Sequence, residues 1–231
     1  VYTTDPRVCP KARLLKEVSF EEMLELSSSG AKVLQLRAVE YASKFNLPLR
    51  VLSSFNKGEG TLVQEEKNIM ERPIVSGISS IDSEAKLTMR GVPDIPGVAA
   101  KILSPISEAG IEVDVIVQNI SAENNTDFTF TVDKADAKKA EAILQEVSIS
   151  LEGGSIEVDD DIAKISIVGR GMRAHAGVAS KMFQALAKSE INISMITTSE
   201  IKISVVIKKS EMANAVSALH DAFDLDKELD S

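Results

Sequence analysis

The residues best placed for chemistry lie in the stretch Gly91-Val-Pro-Asp-Ile-Pro-Gly97. One acid, Asp94, stands between two prolines, and a helix-like run opens directly after Gly97. The first backbone N–H groups of a helix have no internal partner and sit at the positive end of the dipole, so they receive a carboxylate well. Asp94 offers the opposite charge, suited to an ammonium. Pro93 and Pro96 stiffen the loop and reduce the entropy lost when it is ordered, while Gly97 removes a Cβ from the approach. Helix amides for an acid group and a carboxylate for an amine together match a free α-amino acid. Gly177-Val-Ala-Ser-Lys181 repeats the helix start 80 residues later, and Asp114, Gln118 and Asn119 add polar side chains to a facing apolar strand. A plain turn with Asp94 as a helix cap also fits these residues; the repetition weighs toward a ligand.

Other chemistries find little support. His175 and His220 form neither a metal pair nor part of a triad, and Cys9, the single cysteine, reads as an inert side chain in a reducing cytoplasm. His175, in the second loop, reads as a helix cap in preference to a ligand contact, and Thr198-Ser199-Glu200 as either a second ligand contact or a polar hairpin turn. A net charge of −9 with 4% aromatic residues argues against nucleic acid. No apolar run approaches the roughly 20 residues of a membrane helix, and no secretory signal is visible.

The elements that must position these residues follow from periodicity. Residues 1–55 have α/β character. Ser19-Phe20-Glu21-Glu22 is a capping box ahead of a helix to Ser28, a second helix spans Ala38 to Phe45, and a strand begins after Pro48. Helices alternating with short apolar strands suggest a partly parallel sheet. Residues 56–72 turn polar and read as a linker with a short strand at Thr61-Leu-Val63. From 82 to 160 the order is β-α-β-β-α-β: a strand at Lys86–Arg90, a helix Gly97–Ala109 with Val98, Ile102 and Ile106 on one face, and a strand Ile111–Asn119. An Asn124-Asn125 turn, a strand Asp127–Val132, a helix capped by Asp133 and a strand Ser155–Val158 complete it.

Residues 161–225 repeat the pattern with strands at Ala163–Val168, Asn192–Thr198 and Lys202–Ile207 and helices at Gly177–Lys188 and Glu211–Phe223, but one strand short. The unassigned run 73–81 is expected to fill that open edge, which makes the first repeat an insertion within the second. Residues 226–231 read as an acidic tail.

Nearly end to end, the chain resembles the C-terminal part of the aspartokinases. The carriers are Val1-Tyr-Thr-Thr-Asp-Pro-Arg7, Ser19-Phe-Glu-Glu-Met-Leu24, Gly30-Ala-Lys-Val33, Pro48-Leu-Arg-Val51, the Gly91–Gly97 loop, Val117-Gln-Asn119, Gly177-Val178 and Thr197–Ser204. The fold implied is α+β: tandem ferredoxin-like βαββαβ units, resembling ACT regulatory domains, preceded by a fragment of an α/β amino-acid-kinase domain. By that resemblance Val1, Tyr2, Thr3, Thr4, Asp5, Pro6, Ala31 and Lys32 would contact nucleotide. Effector contacts would be Asp94, Gly97, Glu112, Val113, Asp114 and Gln118 from the first unit. From the second they would be Val178, Ala179, Asn192, Ile193, Ser199 and Glu200.

The implied effectors are lysine and threonine, held where ACT domains meet in a homodimer, with residues 56–72 passing the signal to the nucleotide lobe. The intact enzyme would use ATP and magnesium to phosphorylate the side-chain carboxylate of aspartate. The phosphate-gripping and aspartate-binding segments of that family have no counterpart here, so no cofactor is expected in this chain, and the chain alone would be inactive. The opening at Val1 reads as a fragment. The alternative is a separate, non-catalytic regulatory subunit or amino-acid-binding ACT module, which would join a catalytic chain.

Overall fold

Ser19 begins the first helix through a reciprocal cap. Its hydroxyl accepts from the Glu22 amide at 3.2 Å, and a Glu22 carboxylate oxygen accepts from the Ser19 amide at 3.2 Å. The computed structural model describes residues 1–55, 57–66, 74–120, 125–151 and 154–227. Helix α1 (Phe20–Ser28) turns Phe20, Met23 and Leu26 into a core shared with Val18, Val39, Ala42 and Val63, and α2 (Leu36–Lys44) packs on it. The accompanying sheet is ordered β1 (Glu17–Ser19), β3 (Thr61–Gln64), β2 (Leu49–Val51), with β1 parallel and β2 antiparallel to β3. The stretch read as a linker therefore supplies the central strand, with Thr61 and Val63 fully buried. A short polar strand earns that place because pairing on both sides satisfies its backbone.

The first repeat runs β5 (Glu84–Pro93), α3 (Val98–Glu108), β6 (Val113–Ile120), β7 (Asn125–Asp133), α4 (Ala137–Ser150), β8 (Ser155–Asp159). Its four strands are antiparallel in the order β6-β7-β5-β8. Leu87, Met89, Phe128 and Phe130 pack with Val98, Ile102, Ile106 and Leu144 to form its core. Alternation puts Thr88 and Thr129 on the other face, where their hydroxyls meet at 3.1 Å.

The second repeat runs β9 (Ile162–Val168), α5 (Val178–Lys188), β10 (Met195–Thr198), β11 (Lys202–Lys208), α6 (Met212–Ala222). Its sheet is ordered β10-β11-β9-β4, with β4 (Gly77–Ile81) antiparallel to β9. Ser166 and Ser204 form the matching hydroxyl pair at 2.7 Å. Contacts divide the chain into two units, Val1–Ile81 with Ala163–Ser231, and Asp82–Ile162.

Several local expectations change. Asp133 does not cap α4: its Oδ1 accepts from the Ala135 amide at 2.8 Å inside a turn, and the helix starts two residues later, at Ala137. The strand expected from Asn192 begins at Met195, because Ser194 directs both its amide and its hydroxyl to the Val206 carbonyl. The loop after β9 holds a 3-10 turn, Arg170–Ala174. Gly110 ends α3 with a φ of +74°, but at the matching point after α5 Glu190 adopts +57°. Asn125 opens β7, whereas Asn124, residues 56 and 67–73, and the tail beyond 227 lie outside the described residues.

Candidate functional site

Helix α3 starts from Gly97 at φ +90° and α5 from Gly177 at +94°. Among the described residues, no atom beyond the flanking ones lies within 4 Å of a Cβ built at either position. The glycines therefore answer to backbone conformation, since a left-handed L-residue is strained by roughly 1–2 kcal/mol, and open space remains before each helix. The Gly97 carbonyl takes the Lys101 amide at 3.0 Å, and the Gly177 carbonyl takes that of Lys181 at 2.9 Å. The amides of Ala99, Ala100, Ala179 and Ser180 thus fall in the first turns, where a helix supplies no internal acceptor.

Around α3, register decides which predicted residues meet. Val92 and Pro93 pair with Thr126 and Asn125, and Gln118 and Asn119 pair with Phe128 and Asp127. Asp94, Gly97, Gln118 and Asn119 are therefore at one end of the sheet. Asp94 is exposed and makes no hydrogen bond or ion pair among the described residues. Arg90 organises the same end: its Nη1 lies 3.1 Å from Asp127 Oδ2 and its Nε 2.6 Å from Glu157, while Asp127 Oδ1 takes the Gly91 amide at 2.9 Å. Val113 pairs with Val132, so Glu112, Val113 and Asp114 sit at the opposite end, about 13 Å along the strand from Gln118.

The second repeat divides likewise. The Gly169 amide donates to the Ile201 carbonyl at 2.9 Å, and Ser199 closes a tight turn on Lys202 at 2.8 Å. Ser199 and Glu200 thus stand at the end of the sheet that carries the loop leading to Val178 and Ala179. Asn192 and Ile193 precede Met195, which pairs with Val206 at the other end. His175 does not cap α5: its Nδ1–H donates to the Gly171 carbonyl at 2.7 Å, which the 3-10 turn brings within reach.

The N-terminal candidates lie along β4. Thr3 and Thr4 are buried, Val1 is buried, and Tyr2 is exposed and bridged to Leu14. Arg7 donates to Asp5 at 2.7 Å, and that hydrogen bond holds Asp5 below the usual carboxylate range; Pro6 is exposed. The Ile78 amide donates to the Thr3 carbonyl at 2.7 Å. Half-buried Ala31 and exposed Lys32 follow Gly30, where an added Cβ would lie 2.6 Å from the Ser80 carbonyl. The two groups thus meet one strand at Ile78 and Ser80, about 7 Å apart. Among the described residues no group of three or more His, Cys, Asp or Glu could hold a metal ion.

This unit also holds a polar junction that no motif in the sequence marks. Glu22, 7% exposed, accepts at Oε1 from Ser76 Oγ at 2.5 Å and from the Arg170 amide at 3.2 Å, and at Oε2 from the Ser19 amide and hydroxyl. The Arg170 guanidinium lies 2.5 Å from Glu21 and also pairs with Glu66, while Lys202 pairs with Glu25 at 2.7 Å. The capping box marks Glu22 as local. Its partners 54 and 148 residues away leave no trace in spacing.

Residues 88–147 and 165–223 match the ACT domain family, and residues 1–53 the amino acid kinase family. An aspartokinase of Pseudomonas aeruginosa is 60% identical over 228 residues, spanning 98% of this chain and 55% of its own length. Aspartate kinase from Synechocystis superposes with a TM-score of 0.68 at 38% identity, over 100% of this chain and 42% of that one. The ligand-free regulatory subunit of aspartate kinase from Thermus thermophilus gives 0.62 at 40% identity, over 65% of this chain and 99% of that one. The chain spans about half the length of the curated relatives it matches. No helix among the described residues is long and apolar enough to cross a membrane. With two ACT units covering more than half of its residues behind an amino acid kinase segment, the chain belongs to the ACT domain family and to the aspartokinases.

Proposed function

We propose that this chain is the effector-sensing portion of a cytoplasmic aspartokinase whose whole protein moves the γ-phosphoryl group of ATP to the side-chain carboxylate of L-aspartate, with magnesium. Lysine, threonine or both are the effectors. The observation that carries the reading is the repeated end of the two ACT sheets: a left-handed glycine, open helix amides, and a polar strand end beside them. The effector's α-carboxylate rests on the Ala99 and Ala100 amides, where the dipole is positive, and the free Asp94 carboxylate faces its ammonium. Gln118 borders that site. In the second unit Val178, Ala179, Ser199 and Glu200 form the counterpart. Glu112–Asp114, Asn192 and Ile193, at the far ends of these sheets, are the contacts that a second ACT unit would bring to the effector. Val1–Pro6, Ala31 and Lys32 contribute to the nucleotide site.

The edge strands β6 and β10 carry half-exposed Ile116 and Ile196 at matching places, which supports a homodimer formed through ACT edges. Glu66, in the linker, grips Arg170 at the mouth of the second loop. That pair supports effector coupling through residues 56–72; such coupling requires different effector affinities in two states. The test is isothermal titration of lysine and threonine, singly and together, into wild type and Asp94→Ala. Binding that weakens at least tenfold in the variant is expected from losing a charge-assisted contact; equal heats and affinities refute the assignment of Asp94.

A second reading, a non-catalytic regulatory subunit, draws on the 40% identical Thermus thermophilus chain. The kinase-like residues 1–53 set this chain apart from a bare ACT pair. Native mass spectrometry separates the readings: one chain type in the active assembly favours the first, two favour the second.

A further inference from the structure

Thr3 is held by four hydrogen bonds from three residues and is fully buried. Its amide donates to the Arg13 carbonyl at 2.8 Å, its Oγ1 accepts from the Arg13 amide at 3.0 Å, and its carbonyl accepts from Ile78 on β4 at 2.7 Å. The fourth contact comes from the end of α6, where His220 Nε2 lies 2.9 Å from Thr3 Oγ1. His220 has no exposed surface, and its Nδ1 is buried with no hydrogen-bond partner among the described residues. Beside it, Lys11 binds the Asp221 carboxylate at 2.7 and 2.9 Å. Two elements of the second ACT unit thus fix one residue of the segment Val1–Pro6.

A hydroxyl that already accepts from Arg13 is best used as a donor toward Nε2, which requires a neutral ring with its proton on Nδ1. Leaving Nδ1–H buried and unpaired is unfavourable, so packing and conformational specificity at this point outweigh the lost bond. An apolar side chain would fill the volume without that defect. Only the imidazole gives the Thr3 hydroxyl an acceptor there.

We propose that His220 is a positioning residue for nucleotide binding: through Thr3 Oγ1 it sets the register of Thr4 and Asp5, which follow directly in the nucleotide segment. The proposal rests on the reading that Val1–Pro6 contacts nucleotide. The ACT unit then acts on the kinase segment by direct side-chain contact, in addition to any signal through the linker.

The test uses an active kinase that contains this chain, numbered as here, with His220→Leu, His220→Gln, Thr3→Val and Lys32→Ala. His220→Leu is expected to raise KM for ATP about tenfold, the loss of one buried hydrogen bond, while kcat and KM for aspartate stay within about twofold. His220→Gln, whose amide reaches the same hydroxyl, is expected to recover most of that loss. Thr3→Val should raise KM for ATP as well, with the double variant no worse than either single one because the pair acts as a unit. If Lys32→Ala raises KM for ATP and a folded His220→Leu enzyme does not, the positioning role falls while the nucleotide reading stands. If no variant moves KM for ATP, both fall. A uniform drop in kcat with unchanged KM, or equal effects on both substrates, also overturns the proposal. Should His220→Leu fail to fold, Thr3→Val and His220→Gln carry the same comparison.

Discussion

Replacing Glu22 probes the junction most sharply, because its four partners dictate different losses for different side chains. Each carboxylate oxygen faces one backbone N–H that cannot reorient, Arg170 at Oε1 and Ser19 at Oε2, plus one hydroxyl that can rotate. Glu22→Gln preserves shape, yet either orientation of its amide sets an NH2 group against one of those N–H donors. One buried donor is left unmet, a loss of about 1–3 kcal/mol. Glu22→Ala strips acceptors from both amides and from Ser76 and opens the capping box, for roughly 3–5 kcal/mol. At about 2–4 °C per kcal/mol for a unit of this size, the alanine variant should melt about 10 °C lower. Scanning calorimetry measures the global effect. Hydrogen exchange at the Ser19 and Arg170 amides measures the local one, and both amides should lose protection together. A glutamine variant that melts with wild type and keeps both amides protected would refute the reasoning, since it would mean the four contacts do not act on one buried carboxylate.

Arg170→Ala leaves the Glu21 and Glu66 carboxylates facing each other without their cation, and should lower stability by about 1–3 kcal/mol in urea unfolding, because Glu21 is half exposed. Arg170→Lys should recover less than half, as one ammonium cannot fork to two carboxylates. Burial pushes His220 below its ordinary value of 6.5; Asp226 and Asp221 oppose the shift, and Lys11 and Arg13 reinforce it. The native state then binds fewer protons than the unfolded chain, so this stabilisation is complete above 6.5 and is lost as pH falls toward the lowered folded value. Melting temperature should accordingly drop more steeply between pH 7.5 and 5.5 in wild type than in His220→Gln, and parallel profiles would refute this. Glu190→Gly should raise stability by roughly 0.5–1 kcal/mol by relieving a left-handed glutamate. Gly30→Ala should lower it by about 2–4 kcal/mol, since its Cβ would press on the Ser80 carbonyl; chemical unfolding checks both.

The parts whose causes are local can be read along the chain. Ser19 and Glu22 announce a helix start three residues apart, Val98, Ile102 and Ile106 announce one helical face, and the glycines at 97 and 177 mark the same left-handed turn twice. The element order of the repeats follows from such signals, and the end-to-end kinship of the chain is written in its motifs. Register and long-range pairing are decided by the tertiary structure. Glu112–Asp114 and Gln118 are neighbours in sequence, yet the direction of β6 carries them to opposite ends of the sheet. The linker's Thr61-Leu-Val63 has the spacing of any short strand, and only its partners β1 and β2 make it central. Thr3 and His220, 217 residues apart, carry no mark of each other, because a hydrogen bond between distant residues depends on where the backbone returns and not on any period along it.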